Sequence, residues 1–454
     1  MERRDFIVAG AAVAAGVVAT GCVGLARKVA SRPLPVDPQT PELPSFEITA
    51  LNRMGFGPVP GDLAMLRKKG ISAYVEEQLA APVLENDPVL MFQLSRLDVN
   101  RINAAELHDL PEGEVIRQFR QDTLLRQLYS PYQLRERMVD FWTNHFNIIA
   151  EKGENAYRKP TDDREVIRKN ALGNFHDLLV ASAHSAAMLG YLNNDLNKKG
   201  VANENYAREI MELHTLGVHG GYSQKDVMEL ARCLTGWHIE TRMLRPKQKF
   251  RYDEKQHDDV PATVLGHRLA GGKPAGDQAL RILANHPSTA RFITGKLCRY
   301  FLGDYDHLAH DGATQTFLKT KGDIKAVLRA ILTEENLKNA KPLVKRPNDF
   351  LLSALRAIGA ESDCATNLHN HLTSMGQPLY GWPMPDGYPD RTAAWTGSLM
   401  ARWNFCWQLE NKGIGGTWFR EDYVKGRESE LILGIQAPGK SIAVCMAAPA
   451  FQWR

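Results

Sequence analysis

Residues 203–237 read NENYAREIMELHTLGVHGGYSQKDVMELARCLTGW, and this stretch predicts the helical hairpin around which the chain is organised. Its first half has an apolar helical stripe on one side and, on the other, a polar stripe that includes Glu209 and Glu212. Gly217 is placed to end that helix. Ser223 opens an S-x-x-D capping box, which marks the start of the second helix. We expect the remaining elements to pack around this pair of helices.

Helical periodicity also governs the segments on both sides of the hairpin. Residues 112–129 form one amphipathic pattern, and residues 131–150, PYQLRERMVDFWTNHFNIIA, form another that directs His145 toward the interior. Strand character is convincing only in residues 249–269. The sequence therefore predicts a mainly α fold: a large multi-helix single domain with a small β-hairpin insertion.

Size and composition are those of a globular protein with a large core. The chain has 454 residues, of which 44% are apolar and 24% charged. Its 56 Lys and Arg residues barely exceed its 52 Asp and Glu residues, so we expect no nucleic-acid partner. The sequence also lacks a G-x-S-x-G elbow, an H-E-x-x-H pair, a P-loop and a G-x-G-x-x-G turn, which removes the commonest hydrolase and nucleotide-binding motifs.

The N-terminal residues 1–22, MERRDFIVAGAAVAAGVVATGC, have the pattern of an export signal. Their Ala- and Gly-rich run is too short and too weakly apolar for a membrane span, which needs about 20 strongly apolar residues. Arg3 and Arg4, followed by Asp-Phe-Ile, resemble the twin-arginine motif, and the Ala-Thr-Gly-Cys ending resembles a bacterial lipobox. These resemblances imply cleavage before Cys22 and lipidation of that residue.

The proline-rich residues 23–45 are typical of an extended tether, so the folded domain is predicted to span residues 46–454. Together with the signal, the tether predicts a protein that is exported to the periplasm or cell surface and attached to a membrane by an N-terminal lipid. The other five cysteines contain no C-x-x-C pair and suggest neither a zinc ribbon nor a disulfide framework; they are Cys233, Cys298, Cys364, Cys406 and Cys445.

Carboxylates and imidazoles concentrate on and near the central hairpin. The strongest constellation comprises His145, Glu209, Glu212, His214, His257 and Asp258. Such groups suit general acid/base catalysis or a divalent metal ion, the one cofactor that these residue types suggest, and a helix bundle can aim them at a common point. On a regular helix His214 lies about 160° from Glu212, so we expect His214 to stay outside a site that contains the two glutamates.

A structural role for the same residues is the alternative. Arg208 and Glu212 would then pair four residues apart, and Glu209 would bond a neighbouring helix, which fixes helix register without any catalysis. His145, beside Trp142 on an apolar stripe, would be a satisfied core histidine. The sequence leaves both interpretations open.

Two further segments carry candidate site residues. His257 and Asp258 lie on a predicted loop after a strand, where catalytic residues are common. The pair His369 and His371 is a weaker metal-binding signal. Residues 375–395, MGQPLYGWPMPDGYPDRTAAW, form a long loop rich in proline and aromatic residues, and such a loop is usually functional or packed down as an ordered lid.

Several segments, in order along the chain, resemble the bacterial domain of unknown function 1800 family. They include LRERMVDFWTNHF (residues 134–146), NENYAREIMELHTLG (203–217), HPSTARFITGKLCRYF (286–301) and RPNDFLLSALRAIG (346–359). The resemblance implies an exported, mainly helical protein, often encoded beside a member of the domain of unknown function 1501 family, which looks like a sulfatase or phosphatase relative. It implies no settled activity.

Two functions are open on the sequence alone. The first is an exported cell-envelope hydrolase with acid/base or metal-assisted chemistry in a helical pocket, whose candidate catalytic residues are Glu209, Glu212, His145, His257 and Asp258. The second is a non-catalytic binding or assembly protein, whose aromatic loop contacts an envelope glycan or a secreted partner of the domain of unknown function 1501 family.

Overall fold

The structure, a computed structural model, describes residues 43–240, 248–434 and 440–454. The predictions for the export signal, including Arg3, Arg4 and Cys22, and for nearly all of the tether lie outside the described residues. Within the described ranges, no helix is long and apolar enough to cross a membrane. The fold is mainly α with small antiparallel strand pairs, which confirms the predicted class.

Helices follow one another along the described chain. The N-terminal part contains Phe46–Met54, Asp62–Lys69, Ile71–Leu79, Pro88–Leu94, Ala104–Leu107, Glu112–Tyr129 and Gln133–His145. The middle contains Asn155–Asp162, Phe175–Ala183, Ala186–Tyr191, Glu204–Glu209 and Gln224–Cys233, with π-helical turns at Asp163–Arg168 and Ile210–Thr215. The C-terminal part contains Pro274–Ala284, Pro287–Leu302, His310–Thr320, Ile324–Ile331, Glu334–Lys338, Pro347–Ala357, Thr366–Ser374, Leu399–Glu410, Glu421–Val424, Glu428–Leu433, Ile442–Ala447 and Pro449–Gln452. Short 3₁₀ turns lie at Asp98–Asn100, Asn194–Leu196, Glu254–Gln256 and Thr392–Ser398.

The central hairpin, residues 204–233, forms where the sequence predicts it. Its second helix opens with the expected capping box, in which the Ser223 hydroxyl accepts from the Asp226 N–H at 3.3 Å and the Ser223 N–H donates to Asp226 at 2.8 Å. Between the helices, Gly217 has a φ of 80°, and a Cβ at this position would lie 2.9 Å from the Phe292 ring. Only glycine adopts this turn without strain.

Three two-stranded antiparallel sheets occur in the described residues. Trp237–Ile239 pairs with Phe250–Tyr252, Ala262–Val264 with His267–Leu269, and Glu361–Ser362 with Thr417–Trp418. The predicted strand region, residues 249–269, therefore contributes to two sheets instead of forming one hairpin by itself. Leu265 (φ 50°) and Gly266 (φ 78°) make the turn of its own hairpin, and two successive positive φ angles are what a tight hairpin turn of this hand requires.

Two apolar clusters hold the described helices together. The first is built around the central hairpin and includes the fully buried Trp142 and Tyr206. The second contains Phe119, Phe350 and Phe405, which come from three separate helices. Burying a large apolar side chain of this kind contributes about 1.5–3 kcal/mol to folding. The central hairpin is thus the core of only one of the two clusters.

One buried carboxylate joins distant parts of the chain. Asp349 is 1% exposed and forms ion pairs with Arg137, with Arg454 at 3.3 Å and with Arg346 at 3.5 Å. Burial alone would raise the pKa of Asp349, but these guanidinium groups hold it well below its usual range. Arg137 also donates to two carbonyl groups at the end of the Phe46–Met54 helix, each at 2.8 Å. Separate helices are therefore tied to one anion.

Replacing this anion, Asp349→Ala, is expected to lower the free energy of unfolding by about 3–5 kcal/mol, because three buried cations lose their shared partner. Denaturation by urea, followed by circular dichroism, measures the change. The control is Asp422→Ala, which removes an exposed carboxylate paired with Arg420 and should leave the midpoint of denaturation essentially unchanged. Similar effects of the two substitutions would contradict the role given to Asp349.

Candidate functional site

His145 lies in the apolar interior at the end of its helix, as the sequence predicts. The side chain is 1% exposed, and its ring packs against Phe146 and Trp142 with centroid separations of 4.6 and 5.5 Å. Burial lowers the pKa of His145 well below its ordinary value, and the charge of Lys296 lowers it further. His145 is therefore a neutral imidazole with one donor and one acceptor nitrogen.

The acceptor nitrogen of His145 holds the amine of Lys296. Lys296 Nζ lies 3.0 Å from His145 Nδ1, and His145 Nε2 lies 3.0 Å from the backbone oxygen of His214. Since the ammonium donates to Nδ1, the ring proton belongs on Nε2, where it donates to that carbonyl. Burial lowers the pKa of Lys296 to about 8, although the charges of Asp390 and Asp386 oppose the shift. This half-buried amine therefore titrates close to neutral pH.

A π-helical turn brings His214 next to His145. Over Ile210–Thr215 the helix widens, and the Leu216 N–H donates to the Met211 carbonyl, five residues back, at 2.8 Å. The rings of His214 and His145 then lie with their centroids 5.8 Å apart. The sequence prediction that His214 stays outside a site with Glu209 and Glu212 assumed a regular helix. That assumption is wrong, because the π-helical turn holds one residue more than an α-helical turn does. Single-turn widening of this kind is frequent at functional sites.

Glu209 and Glu212 lie half-buried on the same helix, with no basic side chain at ion-pair distance in the described part of the chain. Glu212 accepts a hydrogen bond from the Tyr222 hydroxyl at 3.2 Å. Arg208, which the structural interpretation pairs with Glu212, instead pairs with Glu204 at 3.1 Å. Burial raises the pKa of Glu209, and the charge of Glu212 raises it further. Glu209 therefore holds its proton more strongly than an ordinary glutamate.

The aromatic loop, residues 375–395, is packed down against Asn144 and Asn147. Asn144 donates to the Tyr388 carbonyl at 3.0 Å and accepts from the Tyr388 N–H at 2.7 Å. Asn147 donates to two further loop carbonyls at 3.0 and 2.6 Å. Gly387 has a φ of 79°, and a Cβ there would lie 2.1 Å from the backbone oxygen of Asn144. Only glycine therefore lets the loop come this close to the helix. The loop is an ordered cover, one of the two outcomes predicted for it.

Asp386 is the loop residue whose charge acts on Glu209. After burial and Glu212, its charge is a further cause of the raised pKa of Glu209. Burial, followed by the charges of Asp386 and Glu209, raises the pKa of Tyr191 to about 12. The Trp382 indole N–H donates to Asp386 at 2.9 Å, and the Tyr191 hydroxyl donates to a loop carbonyl at 2.7 Å. Loop and helix thus approach each other at Asp386, and we call the polar region between them the cleft.

His257 and Asp258 make their contacts elsewhere. His257 is 1% exposed, and its Nδ1 lies 2.8 Å from the Thr235 carbonyl. Asp258 pairs with Arg232 at 3.0 Å, and this hydrogen-bonded guanidinium holds the pKa of Asp258 below its usual range. Arg232 also pairs with Glu229 at 3.0 Å. These contacts attach the strand region to the second helix of the central hairpin, and they do not bring His257 or Asp258 to the cleft.

No three His, Cys, Asp or Glu side chains of the described residues are placed to hold a metal ion together. His369 and His371 stand two residues apart on the Thr366–Ser374 helix, where positions with this spacing do not share a face. The five cysteines of the described ranges are buried free thiols. A divalent metal ion stays a prediction from residue types, with no ligand set among the described side chains.

A match to a known family covers almost the whole chain. The family model described as "Protein of unknown function (DUF1800)" matches residues 49–452. The chain belongs to this family. No curated protein and no solved structure matches the chain. Membership of the DUF1800 family confirms the resemblance seen in the sequence and supplies no activity.

Three cleft residues of this DUF1800 member, Lys296, Asp386 and Tyr191, are missed by the sequence interpretation. A signal exists for Lys296, which stands three residues after Ile293 and four before Tyr300, both buried, on one helical stripe. A lysine on a buried stripe is uncommon unless it has a partner or a role. No periodic signal marks Asp386 or Tyr191, because their place in the cleft depends on how the loop folds back.

Two buried neutral histidines are expected to make the fold sensitive to acid. Burial lowers the pKa of His214 to about 3, and the pKa of His145 also lies well below the ordinary 6.5. Below pH 6.5 these two histidines bind protons in the unfolded chain but not in the folded chain. The free energy of unfolding therefore rises with pH between the folded and unfolded pKa values, and this stability is lost as pH falls. We expect each histidine to reduce the free energy of unfolding by about 1.4 kcal/mol per pH unit below pH 6.

Urea denaturation at a series of pH values measures this slope. His214→Gln should reduce it by about 1.4 kcal/mol per pH unit, because the substituted side chain does not titrate. His219→Gln, at an exposed position, is the control and should leave the slope unchanged. A slope that His214→Gln does not alter would rule out a neutral buried His214.

Proposed function

We propose that this DUF1800 protein is an acid/base hydrolase that acts in the cleft beneath the aromatic loop. The observation that carries the proposal is the pair Glu209 and Glu212, which are half-buried and lack a basic partner at ion-pair distance in the described residues, with the pKa of Glu209 raised. A carboxyl group that holds its proton more strongly than usual suits general acid catalysis, and a second carboxyl group on the same helix can supply the general base. Metal-assisted hydrolysis has no comparable ligand set in the described ranges.

Each cleft residue has a definite part in the proposed reaction. Glu212, which is bonded by the Tyr222 hydroxyl, takes a proton from water as the water oxygen attacks the substrate. Glu209 gives its proton to the leaving-group oxygen as the bond to that oxygen breaks. The Lys296 ammonium, positioned by His145, stabilises the negative charge that develops. Proton exchange with solvent restores both carboxyl groups.

An envelope glycan is the substrate class that we propose. Trp382 and Tyr388 on the aromatic loop are partly exposed, with ring centroids 5.0 Å apart. Such rings offer a sugar a flat apolar surface against which its ring can pack. A pair of carboxyl groups is also the usual means of glycoside hydrolysis. The hydrogen bond from the Trp382 indole to Asp386 holds that ring beside the Asp386 carboxylate.

Glu209→Gln and Glu212→Gln are each expected to lower kcat about 10²- to 10⁴-fold, because each removes one proton-transfer group. Release of reducing ends from purified cell-envelope polysaccharide measures the rate. Wild-type activity should fall as pH rises through the pKa of Glu209, since the acid must be protonated to react. Glu209→Gln should lose this limb of the pH profile.

Asp258→Asn is the matched control, because Asp258 pairs with Arg232 outside the cleft. This variant should keep the wild-type kcat. Undiminished hydrolysis by both glutamine variants would sink the catalytic proposal. Tight glycan binding by the wild type without any turnover would instead favour the second function, a non-catalytic binding protein. The ordered aromatic loop is the observation that supports that alternative.

We also propose, from the sequence, that the protein is exported and attached to a membrane by a lipid on Cys22. Support comes from the likeness of Arg3 and Arg4 to the twin-arginine motif and from the likeness of the segment ending at Cys22 to a lipobox. A secreted member of the domain of unknown function 1501 family is the proposed partner, on the strength of what the family resemblance implies.

Cys22→Ala is expected to abolish incorporation of labelled palmitate and to release the protein from the membrane fraction, because the modified thiol is gone. Replacing Arg3 and Arg4 with lysine should leave the unprocessed chain in the cytoplasm. Metabolic labelling and cell fractionation measure both effects. Palmitate incorporation that persists in Cys22→Ala would contradict the lipoprotein proposal.

A further inference from the structure

A second pocket is bordered by three cations and by no acidic residue. Its cavity volume is about 220 Å³. The cations are Arg53, Lys338 and Arg454, and its apolar walls include Phe46, Leu337 and Trp453. None of these residues belongs to the cleft described above. A space lined by positive charge and apolar surface is suited to an anion with an apolar substituent.

Arg53 and Arg454 are the buried members of this set. Arg53 is 0% exposed and Arg454 is 4% exposed. Arg53 donates from Nη2 to the Lys341 carbonyl at 2.5 Å, but its Nε and Nη1 groups and the Nη1 group of Arg454 have no acceptor among the described residues. Buried charged donors without acceptors are strongly destabilising, so an anion within reach of these groups would stabilise them.

Asp349 is the interior carboxylate beside the two arginines, and other cations share it. Arg454 shares the Asp349 carboxylate, at 3.3 Å, with Arg137 and Arg346. Burial lowers the pKa of Arg53 well below its usual range, the charges of Arg454 and Arg137 lower it further, and the charge of Asp349 opposes the shift. Two neighbouring guanidinium groups therefore repel that of Arg53. An anion in the pocket would relieve the repulsion.

We propose that this pocket binds the phosphate group of a phosphate monoester whose substituent is apolar. A tetrahedral oxyanion has enough acceptor oxygens for both guanidinium groups, and arginine is well matched to phosphate. Lys338 lies at the rim with 57% of its side chain exposed, and it pairs there with Glu334 at 2.6 Å. The walls formed by Phe46 and Trp453 contact the substituent.

Isothermal titration of the whole chain with inorganic phosphate and with hexyl phosphate tests the proposal. Both should bind, hexyl phosphate about tenfold more tightly because its alkyl chain is buried. Arg53→Gln should weaken both at least about tenfold, and Lys338→Glu should do the same through charge reversal at an exposed position. Arg329→Gln, an exposed arginine paired with Glu76, is the control and should bind as the wild type does.

The wild type and Lys338→Glu decide the outcome if Arg53→Gln does not fold. No binding of either phosphate by the wild type, or unchanged binding by Lys338→Glu, would overturn the proposal. Vesicles that contain phosphatidic acid distinguish the source of the group: co-sedimentation that inorganic phosphate competes away identifies a lipid headgroup, and hexyl phosphate binding without co-sedimentation identifies a soluble ester. Binding retained by Glu209→Gln shows that this site is independent of the proposed hydrolase.

Discussion

The ion pairs of Asp349 are the constraint on which the position of the cleft depends. This buried carboxylate binds Arg137, about two helical turns before His145, and so it fixes where that helix ends. Asn144, in the last turn, then holds the aromatic loop through two hydrogen bonds. Buried charge therefore positions the helix, the helix holds the loop, and the loop brings the charge of Asp386 close to Glu209.

The geometry gives His145 a positioning role in place of a proton-transfer role. Its Nδ1 accepts from Lys296 and its Nε2 donates to the His214 carbonyl, so both ring nitrogens are occupied in the interior. The amine that it holds is half-buried and feels the charge of Asp386. Burial in the apolar interior thus lowers the pKa of both His145 and Lys296, while Glu209 and Glu212 are partly exposed.

Local patterns predict the parts of this protein that depend on local contacts. The helix over 112–129 and the capping box at Ser223 follow from spacing alone, and the structure has both. The interaction of Asp386 with Glu209 depends on how a distant loop folds back, which no periodicity encodes. The expected pair of Arg208 with Glu212 fails for a similar reason, because the widened turn removes the regular four-residue spacing on which the pair relied.

That widened turn, Ile210–Thr215, makes the length of the central helix as important as its composition. The widened turn already accommodates one residue more than an α-helical turn, so loss of one residue before His214 would restore α-helical winding with little rotation of the chain beyond. Gain of a further residue would instead rotate the chain beyond by about 100° and shift it by about 1.5 Å relative to Glu209. This segment should therefore accept the loss of one residue more readily than the gain of one.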